Sequence, residues 1–152
     1  MPEQIIISDA SVLIALVDIG KLEILRELYN NITITDVVRN EVHAELPDWV
    51  IVSTNYDPQQ MQVLELELDA GEASAIALAM KIPNSTLILD ESKGRIAAKR
   101  LGLKVTGTVG IIIKAKRRGI IQSGKEILDA LEEHGFWLSQ KLKADILERL
   151  EE

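Results

Sequence analysis

Apolar residues along the chain alternate between two spacings. Gln4–Ser8 sets Ile5, Ile6 and Ile7 in a row, the unbroken run of a buried strand. Helical spacing follows from Ser11 to Val17 and, after Gly20, from Lys21 to about Tyr29. Asn30-Asn31 turns the chain into a short β-branched run, Ile32-Thr33-Ile34. Thr35 is a cap for a helix from Asp36 to Ala44, which stops ahead of Pro47. Trp49–Ser53 is β-rich again. Pro58 opens a helix to about Leu68, and Asp69-Ala70-Gly71 breaks it before a second helix, Glu72–Lys81. Pro83-Asn84 leads into a strand, Thr86–Leu89, followed by a helix from Glu91 to Leu101. Gly102 to Thr106 reads as a turn and a last short strand, and three more helices end near Arg118, Glu133 and the C-terminus. Strands separated by helices pair in parallel through right-handed crossovers. The fold class is therefore α/β, a three-layer α/β/α arrangement around a central parallel sheet, in a single domain over residues 1–152.

Composition narrows the chemistry. Apolar residues make up 47% and charged residues 27%, the balance of a globular protein, and no apolar run approaches the ~20 residues of a membrane span. Met1-Pro2-Glu3 supplies no basic stretch ahead of the first apolar run, so no cleaved signal peptide is expected and the cytoplasm is the expected location. The chain has no cysteine, which removes disulfides, thiolate nucleophiles and cysteine–zinc sites. Two histidines, His43 and His134, cannot build a multi-histidine metal site. Two Trp, two Tyr and one Phe are too few for a base-stacking platform. Carboxylates, hydroxyls, Lys and Arg must carry any reaction.

The net charge of −7 hides an asymmetry. From Ser92 to Lys125 there is no Asp or Glu, yet the segment holds ten of the 17 basic residues, Lys93, Arg95 and Lys99 among them. Either this is a solvated face of two helices, or it is a basic surface that steers a polyanion.

Four carboxylates stand where chemistry could use them. Asp9 and Asp90 each follow a strand directly, and the carboxyl ends of parallel strands line the ligand crevice of such sheets. Each could equally be a helix N-cap. Glu41 follows Val37 and Val38 at helical spacing and borders their apolar stripe, where a carboxylate is costly to bury without a cation. Glu72 stands in the first turn of an alanine-rich helix, either as a functional acid or as the far half of a capping box with Asp69. If the four converge, they must share protons or hold a cation. An oxygen-only cluster suits Mg²⁺ or Mn²⁺, an ion that can activate water and neutralise the charge developing on a phosphodiester. The acid-free, cation-rich segment begins two residues after Asp90. That pattern points to metal-dependent hydrolysis of a nucleic acid. A phospho-aspartyl phosphatase would need a second acid where Ser11 stands, and a receiver domain would need an acidic pair where Ser8-Asp9 supplies one acid.

These residues resemble a family. Ile5-Ile-Ile-Ser-Asp9-Ala-Ser11 with the following Val-Leu-Ile-Ala-Leu is similar to the opening of PIN-domain nucleases, whose first strand ends in Asp-x-Ser. Asp36-Val-Val-Arg-Asn-Glu41 resembles the helix bearing that family's second acid. Gly71-Glu72-Ala-Ser-Ala-Ile-Ala-Leu-Ala79, Leu87-Ile-Leu-Asp90-Glu91-Ser-Lys-Gly-Arg95, Thr106-Gly-Thr-Val-Gly110 and Ala115-Lys-Arg-Arg-Gly119 are similar to a PIN-like subgroup of small prokaryotic proteins. The resemblance implies a PIN fold, a Mg²⁺ or Mn²⁺ site on Asp9, Glu41, Glu72 and Asp90, and endoribonuclease activity on RNA. It further implies likeness to the VapC-type toxins of toxin–antitoxin pairs, which form homodimers and are silenced by an antitoxin. Two positions depart from the common pattern, with Glu72 and Glu91 where Asp is usual. Ser11 is expected to orient a water or a phosphate, or else to cap a helix, and Glu91, Lys93 and Arg95 to support the site or bind phosphate. Ile111–Ile113 and Ile120-Ile121 either fill the core or form an isologous dimer contact. The alternative to an enzyme is a PIN-like scaffold that binds RNA or a protein without cleaving.

Overall fold

The structure is a computed structural model that describes residues 4–152. The expectation about a signal peptide concerns Met1-Pro2-Glu3 and lies outside the described residues. Five strands form one parallel sheet: β1 (Ile5–Ser8), β2 (Ile32–Thr35), β3 (Val50–Ser53), β4 (Ser85–Ile88) and β5 (Lys104–Thr106), in the order β3-β2-β1-β4-β5. The successive isoleucines of β1 alternate across it. Ile6, together with Ile88 of β4, faces a layer built by α1 (Ala10–Asp18), α2 (Glu23–Tyr29), α7 (Thr108–Arg117), α8 (Gly124–Glu133) and α9 (Gln140–Arg149). Ile7, with Leu87 and Leu89, faces α4 (Pro58–Leu64), α5 (Ala70–Lys81) and α6 (Ser92–Arg100). The three-layer α/β/α expectation holds. Cutting one of these fully buried side chains back to Ala, Ile7 or Leu87 for example, costs roughly 2–5 kcal/mol.

Strand order fixes where a site can open. The chain steps from β1 outward to β3, then returns across the sheet to β4 and continues to β5. Right-handed crossovers running in opposite directions put their helices on opposite faces, so the connections diverge between β1 and β4. A crevice opens outside the carboxyl ends of those two strands. α3 (Asp36–Glu41) starts at the same carboxyl edge, directly after β2, and packs against both α1 and α5.

Four boundaries or roles differ from the sequence reading. The third helix ends at Glu41 rather than Ala44, because Val42 turns extended and is buried in the core. α4 stops at Leu64, and Asp69-Ala70-Gly71 starts α5 instead of interrupting a helix, with Asp69 as its cap. Ile111, Ile112 and Ile113 are 1%, 0% and 8% exposed and belong to the core, with the partly buried Ile120 and Ile121 packed against it, so the core reading holds for the first three. The acid-free segment is not one surface, since α6 packs on one side of the sheet and α7 on the other. Among the described residues no helix is long and apolar enough to cross a membrane.

Candidate active site

Strand register sets the first two carboxylates. Ser8 pairs with Ile88, and the Asp9 N–H continues the ladder by donating to the Ile88 carbonyl at 3.1 Å. On the other side of β4, the Leu89 N–H donates to the Thr106 carbonyl at 2.8 Å. Asp9 therefore lies level with Leu89, and Asp90 lies one residue further out on the neighbouring strand. Asp9 is 2% exposed and caps α1, accepting the Val12 N–H at 3.1 Å. Asp90 is held at the start of α7, where its Oδ1 accepts the Thr108 N–H at 2.8 Å and its Oδ2 accepts the Thr108 hydroxyl at 2.6 Å. The N-cap alternative holds for Asp9; Asp90 is not the cap of the helix that follows it, a role Glu91 fills, and instead binds the first residue of α7.

Glu41 and Glu72 arrive from the packing of α3 against α5. Ala73, Ala75, Ala77 and Ala79 are all buried, and their small side chains let α5 lie close to its neighbours. Ser74 Oγ donates to the Gly71 carbonyl at 2.8 Å, which leaves the buried Thr35 hydroxyl to donate to Ser74 Oγ at 2.6 Å. That pair ties the end of β2 to the first turn of α5. Gly71 then lies directly under the Glu41 carboxylate. A Cβ at position 71 would fall 2.5 Å from Glu41 Oε2, so only glycine leaves room for it. Asp69 caps α5 by accepting the Glu72 N–H at 2.8 Å, the Asp69 half of the expected capping box.

The same device recurs twice. A Cβ at Gly94 would stand 2.9 Å from Glu72 Oε2, and one at Gly107 would stand 2.5 Å from Asp90 Oδ1. Three glycines on three helix starts thus each leave the space that a carboxylate occupies. The helix N-termini also face these acids with backbone N–H groups, which carry partial positive charge. Val12 serves Asp9, Gly71 serves Glu41, Thr108 serves Asp90 and Gly94 serves Glu91.

This compensation is incomplete, and the proton affinities record it. Burial, opposed by the Val12 hydrogen bond and reinforced by the charges of Asp90, Asp69 and Glu41, pushes Asp9 up to about 7. Burial, a hydrogen bond with Asp69, and the charges of Asp69, Glu91 and Asp9 push Glu72 up to about 8. Glu41 is also raised, by burial and by Asp69, against the Gly71 hydrogen bond. Like charges in a partly desolvated crevice favour protonation, or a cation in place of the protons.

The other expected residues divide. Glu91 is the cap of α6, accepting the Gly94 N–H at 3.1 Å. Arg95 donates from Nη1 to the Leu89 carbonyl at 2.8 Å, and that nitrogen stands 2.9 Å from where a Gly107 Cβ would be, on the Asp90 side of the crevice. Lys93 is exposed on the first turn of α6. Ser11 is exposed in the first turn of α1 and caps nothing, because Asp9 already fills that role. Asp69 and Thr108 are the two residues the sequence did not mark as part of the site. Asp69 acts on Asp9, Glu41 and Glu72 alike, and Thr108 holds both oxygens of Asp90.

The donor set fits a hard divalent cation in kind: it is all oxygen, mutually repelling, and seated in spaces that a Cβ would fill. Among the described residues, however, no three His, Asp or Glu side chains are grouped closely enough to hold a metal ion. Comparison with curated proteins gives no match, and comparison with solved structures gives none. A family model described as a PIN domain matches residues 5–152, which takes in every strand, every helix and all of the carboxylates above. PIN domains generally use divalent metal ions. With its parallel sheet, its acids at the carboxyl ends of β1 and β4 and that match over nearly its whole length, the chain belongs to the PIN-domain family.

Proposed function

We propose that this PIN domain is a Mg²⁺- or Mn²⁺-dependent endoribonuclease that hydrolyses RNA phosphodiester bonds, and that it is the toxin component of a toxin–antitoxin pair acting in the cytoplasm. The carrying observation is the gathering of carboxylates at one sheet edge, where burial and neighbouring charge raise Asp9 to about 7 and Glu72 to about 8. Asp9, Glu41 and Asp90 would hold the ion together with Glu72, whose carboxylate lies over Gly94 and beside Asp69. A bound divalent ion supplies charge neutralisation at the phosphoryl oxygens and lowers the pKa of a water. The chain's own residues do the rest. Asp9, fixed by its ladder bond and by Val12, presents a carboxylate on rigid backbone. Arg95, anchored on Leu89, offers a guanidinium to a phosphate entering beside Asp90, and exposed Lys93 adds a second positive charge on the same helix.

Purified protein with Mn²⁺ or Mg²⁺ should cut RNA, EDTA should stop the reaction, and Asp9→Asn should abolish it. Cleavage by Asp9→Asn at the parental rate would refute the assignment. A second reading, a non-cleaving PIN scaffold for RNA or a protein partner, draws on one feature. Both Asp90 oxygens are taken by Thr108, and no three acids stand grouped for a metal among the described residues. Calorimetric titration with Mn²⁺ separates the two, because a scaffold gives no heat of binding that Asp9→Asn removes. The homodimer and the antitoxin stay with the toxin reading, and light scattering at tens of micromolar reports the first.

A further inference from the structure

The cations that crowd most closely are not those beside the carboxylates. α7 starts at Thr108, which holds Asp90, and runs back along the sheet to Arg117, a length of about 15 Å. A recess of about 490 Å³ follows it from Gly110, past Ile113 and Lys114, to Arg117 and Arg118, with Arg149 of α9 on the far wall. No acidic side chain lines it. A neighbouring recess shares Lys114 and Arg118 and adds the uncharged polar groups of Gln4, Tyr29, Asn30 and Asn31.

Four basic groups outside the recess have acidic partners. Lys116 meets Glu152, Lys125 meets Asp129, Lys143 meets Asp129 and Glu132, and Arg26 meets Glu23. In the recess Lys114 lies 4.6 Å from the centre of the Tyr29 ring, and Arg118 reaches only the Leu28 carbonyl at 3.4 Å. Burial and the charge of Arg118 lower the pKa of Lys114, the mark of cations gathered without a counter-charge. Arg117 and Arg149 make no side-chain hydrogen bond or ion pair among the described residues. In a chain of net charge −7, this is a local concentration of positive charge whose own protein supplies no anion.

We propose that the α7–α9 recess is a phosphate-binding track that holds an RNA strand as it leaves the carboxylate edge. The proposal rests on the ribonuclease reading for its source of phosphates, and on the recess itself for its chemistry. Arg117 of α7 and Arg149 of α9 pair with backbone phosphates, and Lys114 and Arg118 line the recess with them. Gly110, two residues after Thr108, stands at the head of the track. Spanning the length of α7 takes about four or five nucleotides at about 3.4 Å per stacked nucleotide, which a twelve-nucleotide strand exceeds.

The test uses the full chain carrying Asp9→Asn, so that RNA is bound without being cut, and adds Arg117→Glu with Arg149→Glu, two side chains on which the fold makes no demand. The charge-matched control carries Lys81→Glu with Lys141→Glu, both exposed and outside the recess. Fluorescence anisotropy with a labelled twelve-nucleotide RNA should show roughly tenfold weaker binding for the recess variant, and its log–log salt slope should flatten by about 1.4, since a single strand loses about 0.7 per phosphate contact. The control should keep most of the parental slope. A melting scan with inorganic tripolyphosphate forms the second arm, and the stabilisation it gives should vanish in the recess variant alone. Equal salt slopes and equal tripolyphosphate shifts in recess variant and control would overturn the track. Cleavage by the chain with Asp9 intact alongside those equal slopes overturns the track and leaves the ribonuclease standing. Tripolyphosphate protection through Arg117 and Arg149, in a protein that neither binds nor cuts RNA, overturns the ribonuclease and the RNA assignment and supports a site for free oligophosphates.

Discussion

Two regions of this molecule treat a carboxylate in opposite ways. At the end of α9, Glu152 receives the Gly124 N–H at 2.8 Å, the Lys125 N–H at 3.2 Å, the Ser123 hydroxyl at 3.0 Å and the Lys116 ammonium at 3.1 Å. Burial alone would raise its pKa, and those four donors outweigh burial and bring it down to about 2. At the carboxyl edge of the sheet, Asp9 also caps a helix, yet it has one N–H donor and acidic neighbours, and it stands at about 7. Both are carboxylates that accept N–H groups at a helix start. What differs is whether the surrounding charge has been neutralised. Glu152 is a finished structural contact, whereas the acids of the crevice keep like charges beside them; on the proposed reading, a cation relieves that repulsion.

The largest expected effect tests this contrast directly. Asp90→Asn keeps a side-chain oxygen for the Thr108 N–H, and its amide can donate to the Thr108 hydroxyl, so the fold should survive. Ribonuclease activity should fall by a factor of order a thousand, because a charged ligand is gone. In EDTA the variant should melt at or slightly above the parental temperature, one repelling charge having been removed. Saturating Mn²⁺ should stabilise the parent by about 2.7 kcal/mol at a hundred times its Kd and the variant by far less. Identical Mn²⁺ shifts by differential scanning fluorimetry would show that Asp90 is a cap of the Glu152 kind.

pH should separate the two regions next. Folded Asp9 and Glu72 take up protons more readily than they do unfolded, so between about pH 4 and 8 the folded state binds more protons and stability falls as pH rises. The displacement of Asp9 from 3.8 to about 7 alone corresponds to roughly 4 kcal/mol. Glu152 acts with the opposite sign. Its contribution is complete above its ordinary 4.5 and is lost as pH falls toward about 2. Urea melts in EDTA should therefore give a stability maximum near pH 4 to 5. With Mn²⁺ the maximum should move upward, since metal and proton compete for the same oxygens. A profile in EDTA that climbs steadily from pH 4 to 8 would show that the crevice acids do not repel one another.

A smaller effect follows from the space beneath Glu41. Gly71 lies inside the first turn of α5, so Ala should stabilise the helix by up to about 1 kcal/mol. The same Cβ would fall 2.5 Å from Glu41 Oε2 and displace that carboxylate. Gly71→Ala should accordingly melt higher and cleave RNA roughly 10- to 100-fold more slowly. Parental activity together with raised stability would remove Glu41 from the site.

Much of this arrangement was legible in the chain, and the parts that were not share a cause. The apolar run before Asp9 and the Thr86–Leu89 run before Asp90 mark strand ends, and a parallel sheet then places both acids at one edge. Local pattern is enough for that. Asp69 was hidden because the capping box already explained it, and a residue can satisfy a helix and perturb three other acids at once. The end of α3 depended on the burial of Val42, and the fate of Ile111–Ile113 on the layer that α7 covers. Both are decided by tertiary packing. The acid-free segment was read as one surface because sequence does not say that α6 and α7 cover opposite faces. The glycines beneath Glu41, Glu72 and Asp90 carry no visible signal until the carboxylates are placed over them.

The smallest expected effect lies at Glu152 itself, and it serves as the control for all the others. Glu152→Gln keeps an acceptor for one of the Gly124 and Lys125 N–H groups and loses the charge that four donors share. Charge-assisted hydrogen bonds exceed neutral ones by about 1 kcal/mol, so the cost should be about 1 to 2 kcal/mol. For a chain of this size that corresponds to a fall in Tm of roughly 2–8 °C. The loss should be the same with EDTA and with Mn²⁺, and it should shrink as pH falls from about 4.5 toward 2, where the unfolded parent's carboxyl protonates ahead of the folded one. RNA cleavage should not change, because Glu152 sits at the start of α8, away from the strand ends that carry Asp9 and Asp90. A Glu152→Gln variant whose stability loss depended on Mn²⁺ would mean that the ion binds at the wrong carboxylate, and the distinction between the two regions would collapse.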